Sequence, residues 1–171
     1  MSERLVEFNQ IPAARALSLL YDCCGSQKWG RQMAQARPFA DVTALLQQAK
    51  QIWWGLSNED WLEAFAAHPQ IGSSAAAPAQ QLQAAQWSRE EQSGTQAALA
   101  SVRAGLAEAN RLYEKKFGYI FIVCASGKSA AEMLALCRQR LANEASAELR
   151  QAAEEQQKIT EIRLRKFFDP G

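Results

Sequence analysis

Along most of this chain apolar side chains return every three or four positions, and Ala, Gln, Glu, Arg and Lys fill the places between. That period lines one face of an α-helix, and the intervening residues are good helix formers, so pattern and propensity agree. The pattern predicts a helix opening at Pro12 and running to about Tyr21. A short one follows from Trp29 to Ala36 before Arg37-Pro38-Phe39, and another runs from an Asp41 N-cap to Trp54. Ser57 with Asp60 starts a helix carrying Trp61, Leu62 and Phe65 toward His68. Gly72 to Ala79, small residues with Pro78 among them, read as a loop. A long helix is expected from about Trp87 to Lys116, ended by Phe117-Gly118, and another from Ser129 with Glu132 to about Leu141. Tyr119 to Ala125 is the only run with strand-like character, an apolar extended piece too isolated to build a sheet. With a last helix from about Ser146 to Phe168, the expectation is an all-α, compact single-domain bundle of about seven to eight helices and one short extended segment.

The last helix is informative in detail. Glu154–Lys158 and Glu161–Arg165 are i,i+4 pairs in the favourable acid-first order. Leu149, Ala152, Ile159 and Phe167 mark the opposite, inward face, and Arg163 falls on it, four residues from both Ile159 and Phe167. A guanidinium there needs an acid, a carbonyl or a ligand, because an unpaired buried charge is costly. Arg165 has a solvent-facing role; Arg163 does not.

Composition narrows the class. A chain of 171 residues is long enough to bury a core as one domain, 1–171, without metal or disulfide staples. Nineteen basic residues against 18 acidic ones leave a net charge of +1, which gives no electrostatic case for a nucleic-acid or membrane-surface partner. Cys23, Cys24, Cys124 and Cys137 form no C-x-x-C and lie far from histidine at metal-ligand spacing. Buried free thiols in a reducing cytoplasm are the simplest expectation. The N-terminal residues carry no apolar signal core, no stretch reaches membrane-spanning length, and Asp169-Pro170-Gly171 is not a peroxisomal tripeptide.

The chain has one histidine, His68, followed by Pro69. Imidazole is the commonest proton shuttle near neutral pH, so any histidine mechanism is tied to this address. A plain helix-ending histidine bonded to backbone remains open. Ser88-x-x-Glu91 has the form of a capping box, as do Ser57–Asp60 and Ser129–Glu132; read functionally, a helix start presents N–H donors to a ligand, with Glu91 and Gln92 beside it. The Phe117 to Ala125 run is either plain core or a backbone edge whose N–H and C=O groups can bind a flat polar heterocycle. Gly127-Lys128-Ser129 lacks the first glycine of a phosphate loop, which would fall at Ile122. No nucleophile elbow, dinucleotide glycine pattern or metal-ligand cluster occurs, which favours cofactor-free chemistry. Trp53, Trp54, Trp61 and Trp87 suit a core or an interface.

Taken in order, Cys23-Cys24-Gly25-Ser26 with Trp29, Arg37-Pro38-Phe39, His68-Pro69-x-Ile71-Gly72 and Trp87-Ser88-x-x-Glu91-Gln92 form a recognisable series. It continues through Phe117-Gly118-Tyr119 and Cys124 to Ser129, and ends in Glu154-Glu155-Gln156-x-Lys158-Ile159-Thr160-x-Ile162-Arg163-Leu164. Over nearly its whole length the chain resembles the 2-oxo-4-hydroxy-4-carboxy-5-ureidoimidazoline (OHCU) decarboxylases, enzymes that complete uric acid oxidation to (S)-allantoin. The resemblance implies an all-helical fold, usually a homodimer, a small-molecule substrate and no metal or organic cofactor. It implies that His68 is the catalytic histidine, that Pro69 lines the site, and that Ser88, Glu91 and Gln92 contact the substrate. Glu91 would orient His68 or hold the ureido N–H groups. Arg163 would meet charged or carbonyl oxygens, and the backbone of Phe121, Ile122, Val123, Cys124 and Ala125 would meet the ring. The chain departs from the family mainly at the Ala-rich loop after Gly72. Two other classes stay open: a non-catalytic helical protein-interaction module, and an amidohydrolase or isomerase acting on a related ureide with the same residues.

Overall fold

The computed structural model describes residues 2–69 and 96–170, with backbone alone at 96–98. Among them are eight helices and no strand: α1 (Glu3–Gln10), α2 (Ala13–Cys23), α3 (Gln27–Gln35), α4 (Val42–Trp54), α5 (Asn58–Ala66), α6 (Gln96–Phe117), α7 (Ala130–Arg140) and α8 (Ala145–Phe168). The capping signals act as read. Asp41 Oδ1 accepts from the Ala44 N–H at 2.7 Å, and Ser57–Asp60 and Ser129–Glu132 each close a reciprocal box. Gly118 ends α6 with φ +83°, its N–H bonded to the Glu114 carbonyl at 2.8 Å. The expected loop from Gly72 to Ala79, the helix start at Trp87 and the Ser88–Glu91 box lie outside the described residues.

Helix α1 is an addition to the expected series. It is two turns long, its Ser2 makes no side-chain cap bond, and only Leu5 and Phe8 are buried, so pattern alone gives little signal. Tertiary contacts hold it. Arg37 donates through Nη1 to the Phe8 and Ile11 carbonyls at 2.7 and 2.9 Å, satisfying the last turn. The Asn9 amide bonds both backbone groups of Phe39 at 2.9 Å. The Arg37-Pro38-Phe39 motif, whose Arg–Pro peptide is cis, is thus the anchor of α1.

Two compact units make up the chain. One combines the residues up to Ala67 with those from Ala153 onward; the other runs from His68 to Ala152. In the first, Trp29, Leu20, Leu45, Trp53, Phe8, Phe65 and Phe168 are buried. Its indoles donate inward: Trp29 to Ala49 O at 3.1 Å, Trp53 to Ala153 O at 2.9 Å and Trp61 to Trp53 O at 3.0 Å. Core rather than interface is therefore the place of these three. Trp54 is half-buried with its indole on Gln157 Oε1 at 2.9 Å, and Trp87 is outside the described residues. In the second unit Leu106 and Tyr113 of α6, Phe121 and Val123 of the connecting run, and Met133 and Cys137 of α7 share one core.

Helix α8 corrects two expectations. Its buried stripe is Glu148, Ala152, Gln156, Thr160, Leu164 and Phe168, whereas Leu149, Ile159, Arg163 and Phe167 lie beside it half-buried. Three of the six stripe residues are polar, so hydrophobicity set the inferred face about one position off. The Glu161–Arg165 pair forms at 2.8 Å, but Lys158 bonds Glu155 at 2.5 Å, three residues back, rather than Glu154.

Candidate functional site

The sole histidine stands just beyond the end of α5. The N–H of Ala67, the C-cap, turns onto the Ala64 carbonyl at 3.3 Å, which tightens the last turn before His68 and Pro69 leave the helix. Both are half-buried. Gly25, in the turn between α2 and α3, packs directly on this helix end: a methyl there would overlap the Ala67 side chain. The Cys23-Cys24-Gly25-Ser26 motif thus sets where the chain departs toward His68. Ser88, Glu91 and Gln92 lie outside the described residues, so the site's geometry is built from its other members.

Arg163 belongs to the first unit. Its Nη1 lies 3.4 Å from both the Asp22 and Cys23 carbonyls, long contacts at the C-terminal end of α2. Among the described residues no carboxylate pairs with it. Burial draws its pKa down, partly offset by the facing thiols of Cys23 and Cys24 and by Asp22. A part-buried guanidinium with five donors and two long contacts retains capacity for an oxygen ligand. The thiols beside it are inert: burial pushes Cys23 up to about 12 and Cys24 up to about 11. The Ser26 backbone and Thr160 partly offset the rise at Cys24, and Gln156 donates to Thr160 at 3.1 Å. The polar stripe of α8 therefore has partners throughout this stretch.

The run after α6 belongs to the second unit, as do His68 and Pro69. Phe121, Ile122, Val123 and Cys124 are buried, and Ala125 is half-buried. Two of its carbonyls already accept a side-chain hydrogen bond. Arg140 Nη1 donates to Ile122 O at 2.7 Å, and Lys128 Nζ donates to Cys124 O at 2.8 Å. Among the described residues no hydrogen bond engages the backbone of Val123.

Arg140 is part of a buried network that sequence reasoning missed. Its Nε donates to Glu148 Oε1 at 2.7 Å, the Tyr113 hydroxyl donates to the same carboxylate, and Asn143 Nδ2 reaches Oε2 at 2.9 Å. A signal was present. Arg140 continues the Ala130, Met133, Cys137 face of α7, as Glu148 continues the Ala152 face of α8. Among the described residues no cluster of His, Cys, Asp or Glu is arranged to hold a metal, and no helix is long and apolar enough to cross a membrane.

Comparison with known proteins places this arrangement. The sequence model of the OHCU decarboxylases matches residues 9–165. The chain belongs to this family. It is 47% identical over 148 residues to the uric acid degradation bifunctional protein TTL of Arabidopsis thaliana, covering 85% of this chain and 45% of that one. It is 27% identical over 171 residues to the uric acid degradation bifunctional protein of Bacillus sp. (strain TB-90), covering 98% of this chain and 33% of that one. The chain thus spans less than half the length of these curated relatives. A crystal structure of OHCU decarboxylase in the presence of (S)-allantoin superposes with a TM-score of 0.73 and 42% identity, over 86% of this chain and 95% of that one. An (S)-allantoin synthase at 20% identity and a TM-score of 0.70, over 96% of this chain and 53% of that one, shares the fold.

Proposed function

We propose that this protein decarboxylates OHCU to (S)-allantoin, without a cofactor and as a homodimer in a reducing compartment. The family match across residues 9–165 carries the reading. The underused guanidinium of Arg163, poised for oxygens, supports it, and the four free, buried cysteines suit such a compartment.

The substrate carries its carboxylate on C4, which also bears a hydroxyl and adjoins the ring C=N carbon, C5. When the C4–carboxylate bond breaks and carbon dioxide leaves, its electron pair forms a C4=C5 double bond, the C=N π pair moves onto the ring nitrogen, and that nitrogen takes up a proton. The resulting enol then loses its hydroxyl proton as C5 gains one, creating the ketone and the stereocentre; overall one proton is consumed. The ring is its own electron sink. The protein must hold developing charge and deliver a proton to one face.

His68 takes the hydroxyl proton and serves C5, Glu91 orients it or holds the ureido group, and Ser88 and Gln92 bind polar ring substituents. Arg163 acts on oxygens that keep or gain charge, because clamping the departing carboxylate would stabilise the ground state. The Phe121 to Ala125 backbone meets the ring, with Pro69 lining the site.

The test supplies freshly generated OHCU to the purified protein in metal-free buffer and follows carbon dioxide release and allantoin chirality. Rapid formation of the (S) enantiomer is expected. His68→Asn should slow it by roughly 10²–10⁴-fold while the protein stays folded. Slow, racemic product matching a protein-free control would overturn the reading.

A further inference from the structure

A buried ion pair is an uneconomical way to fill a core. Apolar residues of similar volume serve stability as well or better, so such a pair calls for a reason. Arg140 and Glu148 are 6% and 0% exposed, with Arg140 Nη2 2.5 Å from Glu148 Oε1. The reason lies on the other side of the guanidinium. Arg140 donates to Ile122 O and lies 4.6 Å from the centre of the Phe121 ring, so one planar cation holds both the backbone and a side chain of the run. This run sits in no strand, and no ladder fixes its register. Lys128 takes Cys124 O, two residues on, the spacing at which an extended chain turns its carbonyls to one side. The peptide edge of Val123 stays available between them.

We propose that Arg140 is a positioning residue of this enzyme: with Glu148 as its counter-ion, it clamps the Phe121–Ala125 backbone in the one setting that can read the flat, amide-edged ring of substrate and product. The inference rests on the decarboxylase reading. Tyr113 and Asn143, both bonded to Glu148, hold the counter-ion and so act one step further out.

The experiment compares KM, kcat, product chirality, inhibition by (S)-allantoin and amide exchange at Ile122 to Cys124 across matched variants. Arg140→Lys keeps the charge but loses the fork and the flat face. It should raise KM and the (S)-allantoin inhibition constant by roughly tenfold, more than it lowers kcat, and speed exchange at those amides. Leu106→Ala removes a buried side chain of the same core that makes none of the clamp's hydrogen bonds; it should lower Tm yet leave KM unchanged. Should Arg140→Lys fail to fold, Tyr113→Phe combined with Asn143→Ala carries the test, with a smaller rise in KM and the same local exchange. Equal KM changes in Leu106→Ala, or an unmoved KM in the clamp variants of an active enzyme, would overturn the positioning role alone. A wild-type protein that makes no (S)-allantoin would overturn the decarboxylase reading and the positioning role with it.

Discussion

Arg140 and Arg163 are both drawn out of water, and their partners separate their work. Arg140 is held by a carboxylate, a carbonyl and a ring face; Arg163 has two carbonyls at 3.4 Å and, among the described residues, no acid. Replacing Arg163 by Lys should therefore lose about tenfold or more in kcat/KM, because an ammonium cannot reproduce a planar two-pronged contact. Arg165→Lys, in an exposed pair with Glu161, should be nearly silent. Steady-state kinetics on both variants checks this, and equal losses would refute the distinction. Arg163 was legible because its spacing from Ile159 and Phe167 pointed inward, even though the true stripe lies one position away. Arg140 and Glu148 were not, since charged letters in a helix ordinarily mean solvent and only their place on apolar faces betrays them.

At the scale of elements, caps and breaks were the readable part: Asp41, Ser57, Ser129 and Gly118 act locally, and local chemistry survives in sequence. Helix α1 was hidden because the groups that satisfy its last turn come from Arg37, 26 and 29 residues away. The seating of α5 on Gly25 is likewise tertiary. Gly25→Ala should overpack that contact, costing about 1–3 kcal/mol, and displace Ala67 and with it His68. Activity should fall more than stability accounts for, and adding Ala67→Gly should restore much of both. Chemical denaturation and kcat/KM on the single and double variants measure it; no rescue would mean the contact does not position His68.

For the molecule as a whole, buried protonated groups set the alkaline limit. Burial pushes Cys23 up to about 12 and Cys24 and Cys137 up to about 11, from 9.0, and it also raises the Tyr113 hydroxyl, which bonds Glu148. Below pH 9 these thiols keep their protons whether the chain is folded or not, so their share of stability is fully present. Between about pH 9 and 11 the unfolded chain releases protons that the folded one retains, and stability falls at up to about 1.4 kcal/mol per pH unit per thiol. Urea midpoints should decline steeply over that window, and less so in Cys137→Ala. A flat profile would contradict the burial of these thiols.

The inward-turned indoles have a consequence of another kind. Trp29, Trp53, Trp54 and Trp61 all belong to the unit that ends at Ala67 and resumes at Ala153, whereas the phenols of Tyr113 and Tyr119 belong to the other. Trp87 in the second unit and Tyr21 in the first break this partition. A Trp87→Phe, Tyr21→Phe chain would carry indoles in one unit alone and phenols in its neighbour alone, so that indole fluorescence follows the first and phenol absorbance the second. The protein would then carry its own two-colour reporter, and superimposing the two melting curves would show whether one helix running through both units, α8, is enough to make them melt as one.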